Sequence, residues 1–351
     1  MTTPPHDRIR LAVLGAGGLG KVACRIIGMK RELSLDAICD SHGIVSSSEG
    51  LDAALLSSIS GDLVDGYRHA VQTQGRALSG GVAVASAVEA RHCDDPLGAV
   101  LALAPSLDAV LIALPNLPNE FIPGVIRRFA DARASLVFVD VLKRTRAVAQ
   151  MFALDAAVKQ ARSVVLTGCG ATPGTLAAAA VLAAQSFVEV EKVDIWWGVG
   201  IANWDAYRAT IREDIAHLPG YSVERAKAMS DAEVEALLER TNGLLELRRM
   251  EHADDILLQR VGVVDRLDQV EVGGVMDTRH PKKPVSTRMT LTGTTFEGKR
   301  SSHTFLLGDE TTMGANVIGP ALGYLKRGAW LKSHGLFGVF GSTEFLPMVV
   351  R

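Results

Sequence analysis

The sequence predicts an α/β protein: a doubly wound parallel sheet with helices on both faces, followed by a second region of mixed α and β character. Three observations carry this expectation. A glycine motif joins an apolar strand to a helix near the start of the chain. Near-continuous apolar strands then alternate with helical segments up to about residue 185, and from Val188 the strands change to an apolar–polar alternation.

The glycine motif is Leu11 to Gly20, LAVLGAGGLG. Ile9 to Leu14 reads as a strand, Gly15, Gly17 and Gly20 are spaced G-x-G-x-x-G around Gly18 and Leu19, and an apolar helical segment runs from Lys21 to Met29. Glycine suits these positions because the turn needs unusual backbone angles, a pyrophosphate must approach the backbone, and the helix must pack closely on its strand. Unpaired N–H groups and the positive helix end favour a phosphate. Asp40 stands twenty residues past Gly20, at the end of a second apolar run of Leu35, Ala37, Ile38 and Cys39. A carboxylate there accepts from a ribose 2′-hydroxyl and repels a 2′-phosphate, so the expected cofactor is NAD or NADP, with NAD favoured.

At 351 residues the chain has room for two domains or one with a large insertion, and with 48% apolar residues it can bury a sizeable core. A formal charge of −2 gives no reason to expect nucleic acid or an anionic membrane surface. Met1 to Arg10 carries Pro4, Pro5 and Asp7 without an apolar core, unlike a signal peptide. Pro105 and Asp108 split the most membrane-like run, Leu97 to Pro115, into a short helix and a strand. The four cysteines lack metal-ligand spacing, which fits a reducing cytoplasm.

Beyond the small, polar region from Ser41 to Arg91, Asp108 to Leu114 reads as a buried strand, with a helix from Asn116 and Pro118 to about Ala130. Ser135 to Val141 is another strand, followed by one helix from Thr145 to Ala161, and Ser163 to Thr167 is a third. In the second region Val188 to Trp197, Val261 to Val272 and Ser286 to Thr295 read as strands with one solvated face. Ser230 and Glu233 form a capping box that starts a helix, and Asn242-Gly243 stops it. A helical segment from Thr311 to Leu325 is expected to pack back on the first domain. The corresponding division is 1–185 for the dinucleotide, 186–308 for substrate and dimerisation, and 309–351 for the returning segment.

Ligands of open parallel sheets lie at the carboxyl ends of the strands, and three such ends are chemically unusual. Leu114-Pro115-Asn116 is a rigid turn with an amide that could line a nicotinamide, or a plain turn. Asp140-Val141-Leu142-Lys143-Arg144 brings an amine to the cleft mouth, where low-dielectric walls and Arg144 favour its neutral, nucleophilic form; a solvated lysine at a helix start is the alternative. Asp140 could restrain it or bind backbone. In Thr167 to Thr175, TGCGATPGT, Thr172 as N-cap and Pro173 at the first helical position would aim free N–H groups into the cleft, toward a substrate carboxylate or oxyanion. Cys169 could be a thiolate nucleophile or, preferably, a small buried residue.

In the second region, Ile201 to Tyr221 is dense with Asn203, Trp204, Tyr207, Arg208, Arg212, Asp214 and His217. Tyr207, Arg208, Arg212 and Asp214 are candidates for a polar, carboxylate-bearing substrate, against the alternative of a solvated helix. Glu251-His252-Ala253-Asp254-Asp255 lacks the two-histidine geometry of a metal site, so no metal is expected and His252 is read as an acid–base residue.

GAGGLG, the LPN and DVLKR strand ends, and GCGATPG resemble the saccharopine dehydrogenase-like oxidoreductases, a Rossmann domain with an inserted α+β substrate domain. Relatives acting on amino acids commonly carry G-C-G-x-D-P-G in the third motif; Thr172 replaces that aspartate, which speaks against an α-amino-acid substrate. ALPNLPNEF, VDVLKRT, TGCGATPG and GVGIANWDAYRATIREDIAHLPGY together look most like the cyanobacterial group that contains the suicide biotin-synthesis enzyme acting on 8-amino-7-oxononanoate. The resemblance implies that the Lys143 amine condenses with the C7 ketone of 8-amino-7-oxononanoate and that NAD(P)H reduces the adduct. Bicarbonate then carboxylates the neighbouring amine, and oxidation with hydrolysis leaves the lysine as an aldehyde. The alternatives are a multiple-turnover dehydrogenase of the saccharopine or amino-acid type, in which Lys143 is an acid–base catalyst, and a non-enzymatic dinucleotide sensor or scaffold. The expected partner is a small-molecule substrate, and a homodimer is expected from the sheet-based second domain.

Overall fold

The computed structural model describes residues 8–77, 88–116, 118–201, 208–308 and 312–351. The first seven strands are Ile9–Leu14 (β1), Leu33–Cys39 (β2), Gly43–Ser47 (β3), Val88–His92 (β4), Ala109–Ile112 (β5), Val137–Asp140 (β6) and Val164–Thr167 (β7). Phe187–Gly200 (β8), Leu244–Leu247 (β9), Val270–Asp277 (β10), Thr287–Thr295 (β11) and Arg300–Leu307 (β12) build a second sheet, and Gly338–Gly341 (β13) returns to the first. Interleaved helices are Gly18–Ile27 (α1), Ala53–Ser58 (α2), Leu63–Ala77 (α3), Pro96–Ala102 (α4), Phe121–Asp131 (α5), Thr145–Phe152 (α6), Asp155–Gln160 (α7) and Thr175–Ala184 (α8). They continue with Arg208–Ile215 (α9), Val223–Ala228 (α10), Asp231–Arg240 (α11), Asp254–Arg260 (α12) and Met313–Ser333 (α13).

The first sheet runs β13-β7-β6-β5-β1-β2-β3-β4. From β13 to β2 all neighbours are parallel, whereas β3 and β4 join antiparallel. Alternate residues of β1 feed two cores: Leu11 and Val13 pack with α1 and α13, and Ala12 and Leu14 pack with α4, α5 and α6. Chain order reverses between β1 and β5, and this opens a crevice at their carboxyl ends. The second sheet, β12-β11-β8-β10-β9, buries one face against α8, α9, α11 and α12.

Several expected boundaries move. The helix expected over 145–161 divides because Asp155 Oδ1 accepts from Val339 N at 3.0 Å, tying the start of α7 to β13, a strand the sequence reading did not foresee. Val261 to Gln269 is not strand: Gly262 takes φ +75, Val263 N bonds Leu258 O, and the strand begins at Val270. The helix expected from Asn116 starts at Phe121. Both bonds of the Ser230–Glu233 capping box are present. Thr311, the expected start of the last helix, lies outside the described residues, and α13 packs on β5, β6, β7 and α1.

Candidate active site

The crevice begins at the glycine loop. Gly15 has φ +104, and a Cβ there would lie 2.4 Å from Ala113 O; one on Gly20 would lie 1.9 Å from Gly15 O. These two glycines let the loop fold onto β5 and onto itself. Around Gly17, by contrast, a Cβ would meet nothing within 4 Å. That open position heads α1, which has no side-chain cap and no acidic residue in its first turn, so the space and the field suit a pyrophosphate. Gly18 and Leu19 open the helix, Leu19 lines the cleft, and Asn116 lines it from the end of β5; Leu114 packs on the core behind and Pro115 is exposed.

Asp40 follows β2 with its carboxylate turned to backbone amides. Oδ1 accepts from His42 N and Gly43 N at 2.8 and 2.9 Å, and Oδ2 accepts from Leu63 N at 3.2 Å. A carboxylate has about four lone-pair sites, so capacity for a ribose hydroxyl remains.

The loop after β6 delivers Lys143 to a cleft that it shares with Asn116, Thr172, Asp214 and His252. Its Nζ donates to Asp214 Oδ1 at 2.9 Å and lies 3.4 Å from Glu213 Oε2, both carboxylates coming from α9. The expectation of a neutral amine is therefore corrected. Burial alone would push the amine down, but Asp214 and Glu213 together outweigh it and hold Lys143 as an ammonium above the ordinary lysine range. Burial also raises Glu213, and pushes the neighbouring His217 down to about 4. Arg144, 4% exposed, does not bear on the amine as a free cation: Nε donates to Asn119 Oδ1 and Nη2 to Glu251 Oε2, a carboxylate shared with Arg146.

Asp140 is fully buried at the seam of two strand ends. Its Oδ1 accepts from Leu142 N, Thr167 Oγ1 and Gly168 N, so one oxygen fixes both the lysine loop and the glycine turn after β7. Burial pushes it up to about 6.

In the same cleft, His252 Nδ1 lies 2.7 Å from Asp254 Oδ2, which also accepts from Thr172 Oγ1 at 2.6 Å. A carboxylate accepts, so Nδ1 carries the proton and in the neutral ring Nε2 is the lone-pair nitrogen. Thr172 is thus not an N-cap, a further correction. Gly174 takes φ +129, α8 starts at Thr175, and the amides of Thr175 and Leu176 bond Gly170 O and Ala171 O, so they are not free to hold an anion. Cys169 is fully buried outside the cleft lining; burial, with Asp140 beside it, raises its thiol well above the usual range.

Arg208 and Arg212 reach Asp231 at 2.6 Å each, and Arg212 also donates to Ala226 O and Met229 O, so these arginines join α9 to α10 and α11. Tyr207, with Asn203 and Trp204, lies outside the described residues. Glu213 and the apolar wall of Trp197, Met250, Met276 and Met313 were not singled out from sequence. Their partners lie far along the chain, and no local spacing announces them.

A switch-point crevice with a dinucleotide loop and an amine at the strand ends defines a dehydrogenase-like enzyme of the Rossmann class. Solved structures with this architecture include the C. glutamicum DAP dehydrogenase in complex with DAP, with TM-score 0.55 at 17% identity over 96% of this chain and 94% of that one. Saccharopine dehydrogenase (L-Glu forming) from Saccharomyces cerevisiae is similar at TM-score 0.52 and 10% identity, over 95% and 94% of the two chains. No family model matches the sequence. The (S)-8-amino-7-oxononanoate synthase BioU of Haloferax mediterranei is 43% identical over 351 residues, covering 97% of this chain and 99% of the relative. The chain belongs to the BioU family.

Proposed function

We propose that this chain is a single-turnover enzyme of biotin synthesis that gives the amino group of its own Lys143 to 8-amino-7-oxononanoate, with NAD(P)H and bicarbonate, yielding the carboxylated diamine. The observation that supports it most is the position of Lys143, which lines one cleft with Leu19 and Asn116, near the glycine loop and the end of β5, and with His252. The family relative is named for the same keto amine. Trp197, Met250, Met276 and Met313 offer an apolar wall for an alkyl chain, beside polar groups for its reacting end.

Lys143 attacks the C7 ketone, and Asp214, bonded to Nζ at 2.9 Å, aims the amine. His252, held by Asp254, is the acid–base group that carries a proton from the adding amine to the carbonyl oxygen. A nicotinamide dinucleotide held by the Gly15–Gly20 loop, with Asn116 at the cleft, would supply hydride chemistry in both directions at the lysine adduct. Hydrolysis then releases the product nitrogen from the chain and leaves an aldehyde at Lys143.

We assign NAD as the favoured cofactor because Asp40, an acidic residue just past β2, suits a ribose hydroxyl better than a 2′-phosphate. The two sheets divide the work as 1–185 for the dinucleotide, 186–308 for substrate and pairing, and 309–351 returning to the first. Phe305 and Leu306, 40% and 57% exposed on edge strand β12, favour a homodimer through the second sheet. No helix among the described residues is long and apolar enough to cross a membrane, and the four cysteines are free, in keeping with a cytoplasmic setting.

The test is intact mass after incubation with the keto amine, bicarbonate and NAD(P)H. The protein is expected to lose about one mass unit at Lys143 as an amine becomes an aldehyde. Product formation with an unchanged mass, or NADH consumed far beyond one equivalent per chain, would overturn the reading in favour of a multiple-turnover dehydrogenase.

A further inference from the structure

Resting on that reading, we propose that Glu213 is a further catalytic residue: its carboxylate takes the proton that Lys143 must lose before its amine can attack the ketone. An ammonium has no lone pair, so the charged resting state of Lys143 cannot form the C–N bond. Two carboxylates are close to Nζ, Asp214 Oδ1 at 2.9 Å and Glu213 Oε2 at 3.4 Å, and the surroundings of the two differ.

Glu213 is 6% exposed, and its Oε1 is buried without a hydrogen-bond partner. The nearest cation to that oxygen, Arg144 Nη1, stands at 3.9 Å, beyond a hydrogen bond, while the other guanidinium nitrogens of Arg144 serve Asn119 and Glu251. A half-satisfied buried anion gains most from taking a proton. Burial and the adjacent Asp214 both raise the proton affinity of Glu213, against the opposing pull of Lys143 and Arg144.

Charge balance favours the same transfer. Lys143, Arg144 and Arg146 face Glu213, Asp214 and Glu251, three cations against three anions. Moving one proton from Lys143 to Glu213 removes one charge of each sign and leaves the set neutral. Among the described residues, the other titratable groups nearby are His217, in the turn after α9 and kept neutral by burial, and His252, whose Nδ1 is committed to Asp254.

The step is balanced without an oxidant. Lys143 gives one proton to Glu213, and the freed lone pair bonds to C7 as the carbonyl π pair moves to oxygen. A second N–H proton passes to that oxygen. Glu213 then returns its proton as the hydroxyl leaves as water and the C=N bond forms. Two ammonium protons end on water, one stays on the iminium nitrogen, and Glu213 is again a carboxylate.

The experiment follows the borohydride-trapped adduct of 8-amino-7-oxononanoate at Lys143 by peptide mass, without dinucleotide or bicarbonate, across pH. In the full-length wild type the trapping rate is expected to level off near neutral pH. Glu213→Gln is expected to slow trapping about a hundredfold at neutral pH and to recover as pH rises, with Glu213→Asp restoring part of the rate. If Glu213 merely held Lys143 as an ammonium, its neutralisation would ease deprotonation, and trapping would hold or rise; that result overturns the proposal. Should Glu213→Gln fail to fold, the wild-type profile decides, because a rate climbing about tenfold per pH unit with no plateau also overturns it. Failure of the wild type to trap sinks this proposal and the functional reading together. Trapping that depends on Glu213 but is followed by multiple turnovers sinks only the latter.

Discussion

The two sides of the cleft are built from different material. On the cofactor side the surface is backbone, shaped by glycines at 15, 17 and 20 within one short stretch, and its field comes from a helix end. On the lysine side the surface is charge, assembled from residues 71 and 107 positions apart, as in Lys143 with Asp214 and Arg144 with Glu251. A backbone cradle is damaged by any added atom, whereas a charge network is damaged by any lost partner. The two halves should therefore fail independently.

Lys143→Ala tests that independence hardest. Product formation is expected to fall below detection, a loss of more than about ten-thousandfold, because the group donated is gone. NADH affinity, read by fluorescence titration, should stay within about a factor of two. Loss of both would mean that the halves are one structural unit. Gly20→Ala is the reverse break. Its Cβ would sit 1.9 Å from Gly15 O, so the loop must shift, at a cost of about 2–3 kcal/mol and up to about a hundredfold in dinucleotide affinity. Borohydride trapping at Lys143 should survive it.

A break confined to stability lies at the seam, in Asp140. Burial raises its folded-state carboxyl from the model-compound value of 3.8 to about 6, so the folded state favours the protonated form. The stability it contributes is full below about pH 4 and is lost as pH rises through about 6, on the order of 3 kcal/mol. Asp140→Asn is expected to flatten that part of the stability–pH curve, measured by urea unfolding at several pH values. An unchanged slope would mean that Asp140 titrates as an ordinary carboxylate.

The same contrast explains what could be read from the sequence. The glycine loop, the alternation of strands and helices, and the Lys143 strand end are local patterns, and they led directly to the fold and the cleft. Local pattern misled where long-range partners decide the outcome. Thr172 looks like a helix cap but bonds Asp254, and Lys143 looks like a neutralised amine until Glu213 and Asp214 are brought to it. Arg208 and Arg212 carry the signature of carboxylate binders, yet their guanidinium groups meet Asp231. Asp155 breaks a helix for the sake of a strand that arrives 184 residues later.

The even count of charges around Lys143 gives the reaction a memory. On the proposed chemistry the ammonium ends as an uncharged aldehyde, so the three buried or half-buried carboxylates face two cations instead of three. Stranding one partner of a buried pair costs about 3–5 kcal/mol unless a carboxylate takes up a proton. A used copy should therefore melt below an unused one near neutral pH and regain much of the difference in mild acid; identical melting curves would exclude this. A chain that acts once would then carry, in its own core, the mark that separates spent protein from fresh.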